Sequence, residues 1–321
     1  MGRIIQVSVI MCVYNEEPYM IEEAVQSVID QTFQDWELII VYDNPENLKL
    51  KEYLLEWKDE RIRFRFNDKN IGAALSRNAG IKMAKGEYIA ILDSDDVSER
   101  KRLEKEVRYI LCKKCDLVCS AYHCIDEKGR YLKAGSPEID LEKIEKYLPY
   151  IDHICHSTVL IRKEVYLESG GYRPFRWGED YDLWLRLLAK GYSFGYIAED
   201  LLGYRVRSHS ITTKKCCDQA VSDYYIRKLY RTYIREKKDI YSVEGYEACL
   251  KKYSVENLHS QKIYARSVQL RREARECLEN GKYISTVSKY ACAVLGSRIY
   301  RLNIYNSIRF RLKFWREKVQ G

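Results

Sequence analysis

The chain has 321 residues, 46% of them hydrophobic, and a formal net charge of +8; that length buries a full core and holds one large domain, or a domain with a smaller helical appendage. No uninterrupted apolar run approaches a membrane span, and "MGRIIQVSVIMCVYN" passes into strand-like sequence with no small-residue cleavage site, which argues against a secretory leader. Eleven scattered cysteines, an odd number without an export signal, point to reduced thiols in a cytoplasmic protein.

The first half alternates apolar runs with amphipathic stretches. "IIQVSVIMCVY" is nearly continuous in apolar and β-branched residues, as a strand buried on both faces requires. Met20, Ile21, Ala24, Val25, Val28 and Ile29 then recur at helical spacing. "WELIIVYD" is a second strand, residues 46–57 a second helix, "IRFRFN" a third strand, "AALSRNAGIKMA" a third helix and "YIAILD" a fourth strand. This alternation predicts right-handed crossovers and a mainly parallel sheet flanked by helices, an α/β fold. Beyond residue 98 a charged helix runs to about Leu111, followed by a strand at "DLVCSAYHCID" that turns back at "EKGR". Separate strands are expected at "STVLIR", "SFGYIA" and "LGYRVR", with a helix at "EDYDLWLRLLAKG" before the last two. From about residue 214 no strand signal remains, and a helical region is expected.

In a parallel α/β sheet the carboxyl ends of the strands share one edge, where ligands bind. The four predicted strands end on Tyr14 and Asn15, Asp43 and Asn44, Asn67 and Asp68, and Asp93 and Asp95. These scattered residues are therefore expected to line one cleft. The last of them belong to "GEYIAILDSDD", where Asp93, Asp95 and Asp96 crowd into four positions. In extended backbone Asp93 and Asp95 project to the same side, and hard carboxylate oxygens suit Mg²⁺ or Mn²⁺. Asp96 has a second explanation as the N-cap of the following helix, with Glu99 completing a capping box.

"NIGAALSRNAGIKMAKGEYIAILDSDD", together with "VSVIMCVYNEE", "QTFQDWELIIVYDN" and "GGYRPFRWGEDYDLWLRLLAKG", closely resembles the family 2 glycosyltransferases of the GT-A fold, in matching order from residue 5 to about 213. The chain looks like a bacterial enzyme that builds surface polysaccharides. The resemblance implies a Rossmann-like GT-A domain over residues 1–213 and a helical C-terminal region over 214–321. It also implies an inverting transfer from a nucleotide diphosphate sugar, a UDP-sugar first of all, to a saccharide or lipid-linked saccharide.

Residue by residue, the resemblance places Tyr14 and Asn15, with neighbouring Val13 and Glu16, beside the uridine. Where relatives read "DDGS" this chain reads "YDNP": Asp43, the residue that meets the uracil ring, is kept, but Tyr42 and Asn44-Pro45 depart from the pattern. Arg77 of "SRNAG" falls near the diphosphate. "LDSDD" is the D-x-D-like motif, with Asp95 the metal ligand, Asp93 its partner and Ser94 a substrate contact; His209 of "YRVRSHSIT" offers a further ligand. A Mn²⁺ or Mg²⁺ ion there would act as a Lewis acid on the leaving diphosphate.

An inverting transfer needs a base for the acceptor hydroxyl, and the resemblance names Asp180 of the Glu179-Asp180 pair. The spacing of Tyr181, Trp184, Leu185 and Leu188 buries one helix face and leaves those acids at the helix start, where the dipole favours them. Asp182 and Arg186, four apart, read as a surface pair. Trp177 either stacks on an acceptor sugar or anchors its loop.

Cys112, Cys115, Cys119, Cys124 and His123 lack the two-knuckle spacing of a structural zinc site. Residues 281–321 carry nine Lys or Arg against one acid, Glu317, so the basic excess of the chain lies in this tail. Ile304, Ile308, Leu312, Trp315 and Val319 share one helical stripe there, with Arg309, Lys313 and Arg316 to the other side. The pattern suits peripheral contact through 298–321 with the inner face of the cell membrane, or packing on the protein or on a second copy in a homo-oligomer. An anionic-membrane or nucleic-acid binding module is the competing class, but it has no need of Asp43, Arg77, Asp93, Asp95 and Asp180 together, so no nucleic-acid partner is expected. A nucleotidyltransferase is disfavoured because its Gly-rich phosphate loop is replaced by "YNEEPY".

Overall fold

The structure, a computed structural model, describes residues 5–135, 144–207 and 216–320. The chain opens β1 (Val7–Val13), α1 (Pro18–Ile29), β2 (Trp36–Tyr42), α2 (Leu48–Leu54), β3 (Ile62–Phe66), α3 (Ala73–Met83) and β4 (Tyr88–Ile91). All seven residues of β2 are buried; six are apolar or aromatic, and Glu37 among them accepts from Ser8 Oγ and Lys85 N. On α1 the predicted stripe Met20, Ile21, Ala24, Val25 and Val28 faces the core. β1 pairs in parallel with both β2 and β4, and β2 in parallel with β3. The four carboxyl ends therefore lie along one edge.

Two glycines make this half possible. A Cβ on Gly86 would sit 2.6 Å from the Ser8 backbone nitrogen, and the bare approach lets Gly86 N donate to Ser8 Oγ at 2.9 Å. Gly72 precedes α3 with φ of +83°, a conformation that side chains oppose.

The sheet continues through β5 (Val97–Ser98), α4 (Arg102–Lys113), β6 (Leu117–Ile125), β7 (Tyr131–Ala134), α5 (Ile144–Tyr147), a 3₁₀ turn (His156–Thr158), β8 (Leu160–Arg162), α6 (Lys163–Glu168), α7 (Glu179–Lys190) and β9 (Phe194–Arg205). Its order is β3-β2-β1-β4-β8-β6-β9-β5, with β7 on β6. It is parallel from β3 to β4 and mixed beyond, because β8 runs antiparallel to both β4 and β6 while β9 is parallel to β6.

Three expectations are corrected here. "SFGYIA" and "LGYRVR" belong to one strand: the exposed Ala198, Glu199 and Asp200 that break the apolar pattern sit in a region of irregular pairing with β6 within β9. Asp96 is no helix cap, since it leads into β5 and α4 begins only at Arg102, after an N-cap Lys101 with no capping side chain. Asp182 is 2% exposed and pairs with both Arg186 and Arg173, so that pair is buried rather than superficial. α4 likewise buries two of its charges: Arg102 donates to Glu106 Oε1 at 2.9 Å and to the carbonyls of Ile91 and Val159.

The chain divides into two compact units. The first, with the sheet, comprises Met1–Lys146, His153–Pro174 and Asp182–Arg207; the second comprises Tyr147–Asp152, Phe175–Tyr181 and Ser208–Gly321. The second contains α8 (Cys216–Glu236), α9 (Val243–Lys252), α10 (Leu258–Glu279), α11 (Tyr283–Gly296) and α12 (Arg298–Gln320). An aromatic cluster centres on Phe175, whose ring lies 4.7 Å from that of Tyr246 and 5.1 Å from that of Tyr241. Of the tail stripe, Ile308 is half-exposed and Ile304 partly so; Leu312, Trp315 and Val319 lie outside the residues whose side chains are described. Among the described residues no helix is long and apolar enough to cross a membrane.

Candidate active site

At the carboxyl edge of β1 to β4 the polar strand ends meet as a network. Asp43, just past β2 and 4% exposed, accepts from Asn67 Nδ2 (2.9 Å) and Ile71 N (3.0 Å) on Oδ1, and from Gly72 N (2.8 Å) on Oδ2. The same Asn67 amide donates to Ser76 Oγ at 3.0 Å. Asp43 thereby ties β2, the end of β3 and the start of α3 together. A carboxylate has about four lone-pair sites, so part of its accepting capacity remains.

The departure at "YDNP" has a packing explanation. Tyr42 is 1% exposed, meets the Phe66 ring edge-on at 6.1 Å, and donates from its hydroxyl to Asn47 O at 2.6 Å. Asn47 caps α2 through Leu50 N and donates to Asn15 Oδ1 at 3.0 Å, which fixes Asn15 beside the loop. Asp43 N bonds to Val13 O, and Glu16 folds back so that its Oε2 accepts from Tyr14 N. The Tyr14 ring itself is 50% exposed.

On the β4 side the three carboxylates part company. Asp93 accepts from Arg77 at 2.8 Å, and its backbone N–H donates to Ser157 Oγ at 3.1 Å. Burial pushes the Asp93 carboxyl upward, but the Arg77 guanidinium and the hydrogen bonds from Arg77 and Ser157 overcome it and hold the group below its ordinary range. Asp95 is pushed up to about 6, by burial first and then by the charge of Asp93, with Glu16 adding to the effect and Arg207 opposing it. Arg207 pairs with Asp95 Oδ2 at 2.8 Å. Asp96 turns elsewhere, 1% exposed, accepting from Arg205 N at 2.8 Å on its Oδ1. Burial and the charges of Asp95 and Asp93 raise it well above the carboxylate range, against the hydrogen bonds from Arg205 N and Ser157. Ser94 between them is buried.

Sequence reasoning missed the residues that hold this motif from beneath. Arg205 is fully buried and donates to the Asp95, Asp126 and Glu127 carbonyls and to the Glu23 carboxylate. His156 meets Tyr172 Oη at 2.7 Å, and burial followed by the Arg77 charge pushes it down to about 3, a neutral ring. The available sign was the arginine pair in "YRVR", two residues apart at a strand end and so on one side of it.

Trp177, Glu179 and Asp180 fall in the second unit. Glu179 and Asp180 open α7 as expected; both are partly buried, and Asp180 Oδ1 accepts from Tyr181 N at 2.8 Å. The helix stripe holds in Tyr181, Trp184 and Leu185 and widens to Leu183 and Leu187. Trp177 Nε1 is buried and has no hydrogen-bond partner among the described residues. His209 lies outside the described residues.

The sequence profile described as glycosyl transferase family 2 matches residues 8–170. The chain belongs to this family. An uncharacterized glycosyltransferase of Methanocaldococcus jannaschii is 36% identical over 229 residues, 70% of this chain and 79% of the relative. The O-antigen biosynthesis glycosyltransferase WbnJ of Escherichia coli is 30% identical over 228 residues, 70% of this chain and 89% of WbnJ. Among solved structures, residues 1–349 of S. aureus TarS in complex with UDP-GlcNAc align with a TM-score of 0.57 at 15% identity, over 91% of this chain and 93% of that one, a likeness of fold. As a family 2 member the chain is a glycosyltransferase that acts on nucleotide-sugar donors.

Proposed function

We propose that this family 2 enzyme carries out an inverting transfer from a UDP-sugar to a saccharide or lipid-linked saccharide acceptor during cell-surface polysaccharide synthesis. The observation that carries the proposal is the shared strand edge, where the Asp43 network, the Arg77–Asp93 pair and the perturbed Asp95 lie together. The surface-polysaccharide setting is supported by relatives whose names assign them to O-antigen and, for a 32% identical Bacillus subtilis protein, putatively named, to teichuronic acid biosynthesis. The uridine base is supported by the UDP and UDP-GlcNAc complexes of TarS.

In this reading Val13, Tyr14, Asn15, Glu16 and Asp43 hold the uridine, Asp43 with the accepting capacity its network leaves over. Arg77 sets its charge against the diphosphate, with Asp93 and Ser94 beside it. Asp180, with Glu179 next to it, takes the proton of the acceptor hydroxyl as the sugar leaves the diphosphate. Trp177 stacks on the acceptor, and its indole N–H, without a partner among the described residues, is a donor for a sugar hydroxyl.

Among the described residues no group of three or more His, Cys, Asp or Glu is arranged as a metal cage. Two carboxylates still fit the way Mg²⁺ and Mn²⁺ are held jointly with substrate phosphates. Such an ion, held by Asp95 and Asp93, would supply positive charge against the leaving diphosphate. Residues 1–213 would form the transferase domain, and residues 298–321 would place the enzyme at the cytoplasmic face of the membrane.

A thermal-shift screen of nucleotides with Mn²⁺ tests the donor. UDP should stabilise the protein and GDP and CDP should not; stabilisation by UDP that is unchanged by a chelator counts against the metal role.

A further inference from the structure

Among the described residues two arginines meet the carboxylates of the D-x-D-like motif, and they are held differently. Arg77 is 8% exposed in its side chain and sits on Asp93 from within α3. Arg207 is 27% exposed and reaches Asp95 Oδ2 through Nε at 2.8 Å from two residues beyond the end of β9, past the last ladder bond from Val206 N to Ile125 O. Neighbouring Arg205 carries the structural load, since it is the residue that grips the Asp95 main chain, the β6–β7 turn and Glu23. Arg207 is therefore the exchangeable cation of the site. Its guanidinium on Oδ2 and a divalent ion on the same carboxylate would be like charges held within a few ångströms, so each weakens the binding of the other.

We propose that Arg207 is an electrostatic latch on the donor site. Without donor it neutralises Asp95 and keeps divalent ions off. A nucleoside diphosphate draws the guanidinium to its phosphate oxygens, with which an arginine fork pairs as well as with a carboxylate, and Asp95 is released to the ion. Metal and donor then bind as a coupled pair, each raising the affinity of the other by the same factor. The inference rests on the diphosphate-donor reading above and adds the order it imposes: neither half of the site is completed alone.

The test is Mn²⁺ binding, read by electron paramagnetic resonance of the free ion, and UDP binding, read by calorimetry, in wild type, Arg207→Gln and Arg207→Lys. Wild type should bind Mn²⁺ weakly alone and at least about tenfold more tightly with UDP present, the factor expected for an ion pair broken and re-formed in a partly buried site. In Arg207→Gln, Mn²⁺ alone should bind about tenfold more tightly than in wild type, and UDP should add little. Arg207→Lys, which keeps the charge without the fork, should fall between. Equal Mn²⁺ affinity in wild type and Arg207→Gln, with UDP coupling intact in both, overturns the latch and leaves the donor reading standing. No UDP binding to any of the three, each with a cooperative melt, overturns the donor reading and the latch with it. Because the gain expected for Arg207→Gln is a tighter affinity, a merely damaged fold cannot imitate it.

Discussion

Replacing Asp95 by Asn should stabilise the protein while disabling it. Burial and the Asp93 charge lift Asp95 from 3.8 to about 6, against the pull of Arg207. At about 1.4 kcal/mol for each factor of ten, the ionised carboxylate costs the folded state up to ~3 kcal/mol. The sign follows from proton binding. Below about pH 4 Asp95 is protonated in both folded and unfolded chains, and no penalty exists. As pH rises from about 4 to 6 the unfolded chain releases its proton first, so the native state binds more protons and stability falls; above about 6 the penalty is constant. Asn carries no charge and escapes it. The variant should gain about 1–3 kcal/mol at pH 7.5, read from urea unfolding monitored by tryptophan fluorescence, and about a third of that at pH 4.5. The same variant should show no Mn²⁺-dependent stabilisation by UDP. A loss of stability at pH 7.5, or a gain of equal size at both pH values, would refute the reasoning, because it would mean that Asp95 is not held at an electrostatic cost.

Asp180→Asn should lower turnover by about 10²–10⁴ while leaving UDP affinity within about twofold, since a base is needed in the transition state and not for donor binding; a parallel loss of UDP affinity in calorimetry would move Asp180 to the donor site. Arg102→Met should cost about 3–5 kcal/mol in urea unfolding, because it strands the Glu106 carboxyl at 0% exposure, and Arg102→Met with Glu106→Leu should recover much of it; a single-variant loss below about 1 kcal/mol sinks this account. At Gly72 a Cβ meets nothing within 4 Å, so Gly72→Ala probes backbone conformation alone. It should cost about 1 kcal/mol or more and, by shifting the N–H that Asp43 accepts from, weaken UDP binding severalfold. The His156 ring, held at about 3 by burial and the Arg77 charge, should show no chemical-shift titration between pH 5 and 8; a midpoint near 6.5 would show that it is solvated.

The strand edge was legible in the sequence because its determinants are local. Mostly apolar runs make β1, β2 and β4, and polar residues at their ends mark where each run stops. What the sequence hid depends on partners distant along the chain. Asp96 and Glu99 have the spacing of a capping box, but Arg205 N, 109 residues away, claims the Asp96 carboxyl and draws Val97 and Ser98 into a strand against β9. Asp182 and Arg186 have the spacing of a surface pair, yet Arg173 closes over the acid and buries it. Arg102 and Glu106 lie in a stretch that reads only as a charged helix, although backbone carbonyls of β4 and of the segment before β8 give the guanidinium partners that permit its burial. In each case the local rule was outweighed by a cation or main-chain group from another element, which no periodicity displays.

The crowding of Asp93, Asp95 and Asp96 follows from this. Three carboxylates in four residues would repel one another beyond what a buried turn tolerates if all were ionised. A turn closed by Asp96 N donating to Asp93 O separates them: Asp93 meets Arg77, Asp95 meets Arg207, and Asp96 accepts from Arg205 N. Arg77 then neutralises Asp93, burial and the neighbouring charges favour the protonated form of Asp96, and Asp95 is left with the more exposed Arg207 as its partner. A site that must bind and release a highly charged leaving group needs one such adjustable charge and fixed neighbours on either side of it. If all three acids were held by fixed partners, charge brought by the donor would find no group able to respond; if none were, the loop would not hold its shape between turnovers.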